Sequence, residues 1–535
     1  MKKRIFMFLT ACSLIFTGLV IPEPETAYAA STQISSAEDL LAMEQNPSGD
    51  YVLTKDITVP KDTNLFAETP FTGTLDGKGH KLKGYKATTS NAIFAKAKSA
   101  EFKNLSITNV DIKADGGVAA LVYDSEGCAF KNISVSGKIT VSKSDNWTWR
   151  SSVATLAATG SGSMEKCKNS ASITIKDWND CYVGGLAGNF GAARLKDCSN
   201  SGKITLTTKK KSKKIGDADI TLAGLVAGKV DAVTSCKNAG DITLKVNGSM
   251  LLGKSLEHSA TLSVYGICYD AGKITSSGNT GKISLTSAKS VKYDGRAFLA
   301  GVVGGVGKAS KCYNTGSVSF TGAGTEKIGE MIRIGEADTV NAPVWVGGLF
   351  NSTGIPNKAT IGGVYECYNT GNLSVTLFSG HSGVCMVGGI ITGGNRMHNC
   401  YNTGNLTINA KCPKKNLAVI AGGLQGVAFV GETGKLYVTQ NYSTGAVKKA
   451  KLDRPHDFQA LLVGNEENWM MDNKPFLSDN YYTKSGWTYA SGFSSKNSAK
   501  KVSSITFGSC PKLSSKYWVY SAKHKRLILK NNKEK

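Results

Sequence analysis

Cys167, Cys198, Cys236, Cys312, Cys367 and Cys400 each open a C-x-N phrase, spelled CYNTGN at both 367–372 and 400–405. Recurring thiols can bind a soft metal, pair as disulfides, or mark one position of a structural repeat. Zinc wants C-x₂-C pairs or histidines beside the cysteines. The six histidines (His80, His258, His381, His398, His456 and His524) do not cluster with cysteines, so no metal is expected. A secreted chain permits disulfides, but parallel side chains on stacked coils give poor torsions. Cys181 with Cys198, or Cys385 with Cys412, would be the pairs for any bridge. The matching point elsewhere carries Leu105, Ile133, Ser277 and Asn441. A position that accepts those residues reads as a small packing site, so an inward stack of free thiols is expected.

A second group has the side chains that hold sugars. SDNWTWRSS carries Trp147 and Trp149, and KDWNDCY carries Asp177, Trp178 and Asp180. Measured back from Leu156 and Leu186, the three indoles fall on adjacent coils, where they would stack on sugar rings or pack together. Asp177 and Asp180 sit on one excursion, with Asp217 and Asp219 on the next. A calcium site needs six to eight oxygens, more than these acids offer. Further on, Lys209, Lys210, Lys211, Lys213 and Lys214 form a basic bulge suited to an acidic glycan, or simply a solvated loop. No G-x-S-x-G nucleophile elbow and no phosphate-binding G-x-x-x-x-G-K-[ST] occurs. No catalytic residue and no cofactor is identified.

The elements that must carry these residues are repeats. Corner positions recur at intervals of 28 to 55 residues from Leu105 to Asn441. A Gly-Gly-aliphatic phrase precedes most of them, as in VGGLAG at 183–188 and LAGVVGG at 299–305. An alternating run follows, such as Ile173-Thr174-Ile175 or Ile204-Thr205-Leu206. Short β-branched runs with period two, bounded by Gly and Asn, are half-buried strands. The Gly of C-x-N-x-G suits a corner with positive φ. The Asn can bond local backbone or stack on its equivalent in the next coil. The pattern predicts an all-β solenoid, a parallel β-helix of about ten coils, whose units bury their inner faces only against neighbours. Ser35-Ser36-Ala37-Glu38 spells a capping box, which predicts a short helix over 36–46 that covers the first coil with Leu40, Leu41 and Met43.

These phrases resemble bacterial secreted and surface proteins with GLUG-type repeats, which form right-handed parallel β-helices. ISSAEDLLAMEQNPSGDYVLTKDITVP at 34–60 and FTGTLDGKGHKLKGY at 71–85 resemble the opening of that family, and KLSSKYWVYSAKHKRLILK at 512–530 its closing coil. The resemblance spans nearly the whole mature chain. It implies the fold and says less of function, since such repeats accompany adhesins and the non-catalytic regions of large surface proteases. Those proteases resemble zincins and carry H-E-x-x-H; this sequence has no His-Glu pair.

The division expected is a signal peptide at 1–29, a cap and first coil at 30–104, the array at 105–490, and a closing coil with a basic tail at 491–535. Lys2, Lys3 and Arg4, the apolar run Ile5–Val20 and Ala27-Tyr28-Ala29 have the order of a secretory leader. Leu9-Thr10-Ala11-Cys12 is the competing lipobox reading. No later apolar stretch is long enough to span a bilayer, so the chain is expected to be secreted, or held to the cell wall by non-covalent contacts. A formal charge of +24 attracts polyanions. The partners expected are an acidic polysaccharide, teichoic acid or host glycan, bound by a monomer. No nucleic-acid module is recognisable. The reading is a non-catalytic, adhesin-like binding protein; the alternative is a lyase or hydrolase acting on an acidic polysaccharide.

Overall fold

In the run Ser172–Lys176, Ile173 and Ile175 are buried while the alternate residues face out. That alternation, repeated coil after coil, turns one face of each strand into a core that only the next coil can complete. The computed structural model describes residues 31–142, 151–209, 219–248, 260–291, 295–322, 332–334, 338–340, 344–353, 362–378, 383–394, 396–410, 417–428, 437–448, 458–460, 463–466, 477–483 and 499–534. The expected leader and Cys412 lie outside them.

The chain winds as a parallel β-helix. The Gly-Gly-aliphatic phrases form a nine-stranded parallel sheet, starting at Ser151–Val153 and Cys181–Gly184 and ending at Phe458–Ala460. The strands that follow each phrase, the corners and the alternating runs form a second, larger sheet. Its register is regular: Ile173 pairs with Ile204, Ile204 with Ile242, and Ile242 with Ile283. Both sheets contribute to one continuous core. At its N-terminal end the core is aromatic, with Phe102 and Phe130 stacked at 5.6 Å and Phe190 next in line.

The helix is present as Ala37–Ala42, followed by a 3-10 turn Met43–Gln45. Its capping box lies one residue further on than the sequence spelling suggests. Ser36 is the N-cap, and Asp39, not Glu38, returns the bond to the cap backbone. Leu40 and Met43 enter the core, whereas Leu41 is 43% exposed. The helix covers the first coil, which would otherwise offer an open edge.

The corners stack in one column. Pairings one residue further on, such as Lys168 with Ser199 and Tyr368 with Tyr401, set each corner residue against its equivalents. The column continues past Asn441 to Asn480. The left-handed residue is not the Gly of the phrase. It is the residue immediately before the corner: Asn104, Asn132, Lys166, Asp197, Ser235, Ser276, Lys311, Glu366, Asn399, Gln440 and Asp479 all have φ between 51° and 60°. The Gly is required for another reason. A Cβ on Gly281, Gly316, Gly371 or Gly404 would run into the carbonyl oxygen of the glycine one coil below. Close backbone approach, not positive φ, selects it.

The C-terminal segment does not simply wind on. Ala499–Lys501 adds one parallel rung beside Asn480–Tyr482. The chain then forms an antiparallel hairpin, Trp518–Ser521 with Arg526–Leu529. This hairpin lies back along the flank of the coils, over a ladder of stacked tyrosines.

Candidate functional site

The corner column is built from hydrogen bonds as well as packing. The backbone N–H of Cys236 donates to Ser277 Oγ at 3.0 Å. Those of Cys312 and Cys367 donate to the thiol sulfur one coil on, at 3.3 and 3.4 Å. The Cys400 N–H donates to Asn441 Oδ1 at 2.8 Å, and the Asn441 N–H to Asn480 Oδ1 at 3.1 Å. Ser277, Cys367, Cys400, Asn441 and Asn480 are therefore each an acceptor for the coil before. That is why Ser and Asn replace Cys there, while Leu105 and Ile133 at the aromatic end do not take part. A simple packing site is too small a description.

Cys167, Cys198, Cys236, Cys312, Cys367 and Cys400 are buried free thiols, as are Cys128, Cys268 and Cys510. Burial pushes the Cys312 and Cys367 thiols well above the ordinary thiol range. Cys198 is a free thiol, so the Cys181–Cys198 bridge is not formed. No group of three or more His, Cys, Asp and Glu is arranged to hold a metal among the described residues.

Beside the corner runs an asparagine ladder that satisfies both sequence expectations. Each amide bonds the backbone two residues on, as Asn369 does with the carbonyl and N–H of Gly371. Each Nδ2 also donates to the Asn Oδ1 of the next coil, at 2.7 to 2.9 Å, from Asn169 through Asn200, Asn238, Asn279, Asn314 and Asn369 to Asn402. The ladder ends where the sequence places Ser443.

The predicted sugar site is only partly described. Trp147, Trp149, Lys210, Lys211, Lys213, Lys214 and Asp217 lie outside the described residues. Trp178 is 2% exposed and packed into the main core, so its ring offers no open face for stacking. Its indole N–H has no partner among the described residues. Asp177 is exposed, at φ 61°. Asp180 and Lys209 are half-buried. The register that pairs Cys181 with Ile220 sets Asp180 beside Asp219. Asp219 accepts from the Tyr182 hydroxyl at 3.3 Å. An open aromatic face is found elsewhere, at Tyr269, which is 39% exposed.

The sequence reading also missed the tyrosine ladder. Tyr313, Tyr368, Tyr401 and Tyr442 follow the corner cysteines or their substitute, with rings stacked at 5.7, 5.2 and 5.0 Å. The Y of CYNTG was the available signal, since a residue repeated at one register position must stack on itself. The hairpin covers this ladder. Trp518 packs against Tyr401 and Tyr442, and the Tyr401 hydroxyl donates to Glu534 Oε1 at 2.8 Å.

Fold and corner columns define a parallel β-helix of the repeat-array class. The family model described as the M26 IgA1-specific metallo-endopeptidase N-terminal region matches residues 27–137. Among solved structures, an IgA1 protease aligns over 78% of this chain and 22% of its own length, at 13% identity and a TM-score of 0.32. A putative immunoglobulin A1 protease from Bacteroides ovatus aligns over 69% of this chain and 83% of its own, at 11% identity and a TM-score of 0.29. The chain thus spans 22% of the first of these proteins. No curated protein matches it. No helix among the described residues is long and apolar enough to cross a membrane.

Proposed function

We propose that this chain is a secreted, substrate-engaging β-helix associated with IgA1-protease-type proteolysis. It holds a host immunoglobulin and does not itself supply the cutting residues. The observation that carries the reading is continuity. The stretch similar to the metallo-endopeptidase N-terminal region ends at residue 137, inside the strand Val122–Ser142. That same strand pairs onward with Ser172–Lys176, so the matched region and the array are one uninterrupted structure. The GLUG-like phrases support the same use, because such repeats accompany the non-catalytic regions of surface proteases. The sequence carries no H-E-x-x-H, the zinc-binding spelling of a zincin-type protease. The adhesin-like reading is thereby narrowed from any polyanionic surface to a glycoprotein. For a polysaccharide lyase or hydrolase, no specific observation speaks.

The test is binding of the purified protein, without its leader, to IgA1, IgA2 and IgG, followed by electrophoresis of the immunoglobulin chains. Selective retention of IgA1 with an intact heavy chain is the expected result. A cleaved heavy chain, abolished by a chelator, would make the chain a complete protease. Equal retention of all three that disappears in raised salt would reduce the interaction to bulk charge.

A further inference from the structure

The closing segment differs in charge from the coils it lies on. On the coils, lysines meet acids on the same or the neighbouring rung: Lys103 and Lys131 pair with Glu101, Lys138 with Asp111 and Lys196 with Glu165. Residues 499–534 hold eight lysines and one arginine against a single acid, Glu534. That acid is turned inward. Its side chain is 6% exposed and engages Arg526, His524 and the Tyr401 hydroxyl beneath the hairpin. All eight lysines are exposed, and none is in an ion pair among the described residues. The charges that fasten the hairpin are balanced, and those on its outer side are not.

The lysines are carried on one packed unit. Val502, Ile505, Leu513, Trp518, Leu527 and Leu529 share a core with the stacked tyrosines, so the side chains that stay in water cover its outer side. Lys500 continues the tyrosine column one rung past Tyr481, and the Lys512 N–H donates to the Tyr481 hydroxyl at 3.2 Å. Lys516 and Lys530 flank Tyr517. The Lys516 ammonium lies 5.2 Å from the ring centroid, and the Lys530 N–H donates to the Tyr517 carbonyl at 2.8 Å. Lys523 and Lys525 stand at the turn between the two hairpin strands. Open aromatic surface lies among these charges. Two of the four exposed large hydrophobic residues described, Tyr520 at 49% and Phe507 at 38%, belong to this segment.

We propose that the outer side of the closing hairpin segment is a docking surface for a linear acidic polysaccharide. Uncompensated lysines attract carboxylate or sulfate groups as hydrated point charges, without fixing their geometry. The rings of Tyr520 and Phe507 offer apolar faces to the sugar units that carry those groups. Neither ring stacks on another among the described residues. Rings exposed singly suit separate sugar units better than a lipid surface, which calls for a continuous apolar face. The proposal does not rest on the immunoglobulin reading.

The experiment is calorimetry of the protein without its leader, in about 0.15 M salt and with no immunoglobulin present. The probes are polygalacturonate, heparin fragments, polyphosphate and phosphatidylglycerol vesicles. At least one of the two polysaccharides should bind more tightly than polyphosphate. Lys516→Gln combined with Lys523→Gln and Lys530→Gln should weaken that binding about tenfold. Lys86→Gln combined with Lys96→Gln and Lys113→Gln removes the same charge from exposed positions on the N-terminal coils. It should change binding less than about twofold. Tyr520→Ala should weaken it about threefold. The melting temperature should stay unchanged in every variant, since each replaced side chain is exposed. Equal losses from the two triple variants would reduce the effect to bulk charge and overturn the proposal. So would polyphosphate bound as tightly as the polysaccharides, capture by vesicles without polysaccharide binding, or no binding of either polysaccharide. IgA1 retention is measured separately, so failure of one reading does not decide the other.

Discussion

Cys400 donates its backbone N–H to Oδ1 of Asn441 at 2.8 Å and, in the opposite direction along the column, accepts the N–H of Cys367 on its sulfur at 3.4 Å. The corner side chain thus works as a relay of acceptors, with sulfur, hydroxyl and amide oxygen interchangeable.

Replacing Cys367 separates this role from packing. Cys367→Ser keeps an acceptor for the Cys312 N–H and should change stability by less than about 1 kcal/mol. Cys367→Ala leaves that buried N–H unmade and should cost about 1–3 kcal/mol. Thermal melts of the two variants decide the matter; equal losses would return the corner to a packing site. The raised thiol adds a second readout. Native Cys367 should resist alkylation at mildly alkaline pH and react once unfolded.

The asparagine ladder predicts a directional effect. Asn279 accepts from Asn238 and donates to Asn314. Asn279→Asp retains the acceptor but removes the donor and buries a charge, so at neutral pH it should be worse than Asn279→Ala. The buried carboxyl of the variant would have a folded pKa above its unfolded value. Its stability should therefore recover as pH falls toward about 4. Melting temperature against pH for both variants checks the sign.

The coil repeat was legible because each coil repeats its chemistry: one Gly-Gly phrase, one corner and one alternating run, with the same face inward each time. The site was less legible, for physical reasons. Trp178 looks like a binding residue by type, but only burial decides whether an indole stacks on a ligand or on its own core. The left-handed turn hides because its carriers share no residue type. They are Asn, Lys, Asp, Ser, Glu and Gln, all polar and none β-branched or aromatic.

Asp62 gives the clearest acid response. Its carboxylate accepts the N–H groups of Thr88 and Thr89 at 2.5 and 3.0 Å. Those backbone bonds, Thr88 first, hold its pKa far below the ordinary carboxylate value. A depressed folded pKa means that the stabilisation is complete above the unfolded value near 3.9 and is lost as pH falls through the folded one. Asp62→Asn should lower the melting temperature at neutral pH, and the gap to the wild type should narrow progressively as pH falls below about 4. A gap that persists unchanged into strong acid would assign the loss to packing.

The hairpin is the last element to be placed and should be the first to leave. It is held to the coils by Trp518, whose indole N–H donates to Asn399 Oδ1 at 3.2 Å. Glu534 accepts from the Tyr401 hydroxyl and pairs with Arg526 at 2.6 Å and His524 at 3.1 Å. Asn532 reaches back to the carbonyls of Cys312 and Glu366. None of these bonds belongs to the coil-to-coil register, so the hairpin can detach without unwinding the array. Trp518→Ala should remove about 3–5 kcal/mol of contact from this flank, and Glu534→Gln should weaken it less by removing the ion pairs. Hydrogen exchange followed by peptide should show faster exchange across 502–534 in both variants, with the strands Ile204–Thr207 and Ile242–Val246 still protected. Uniform loss of protection along the whole array would instead show that the hairpin and the coils unfold as one unit.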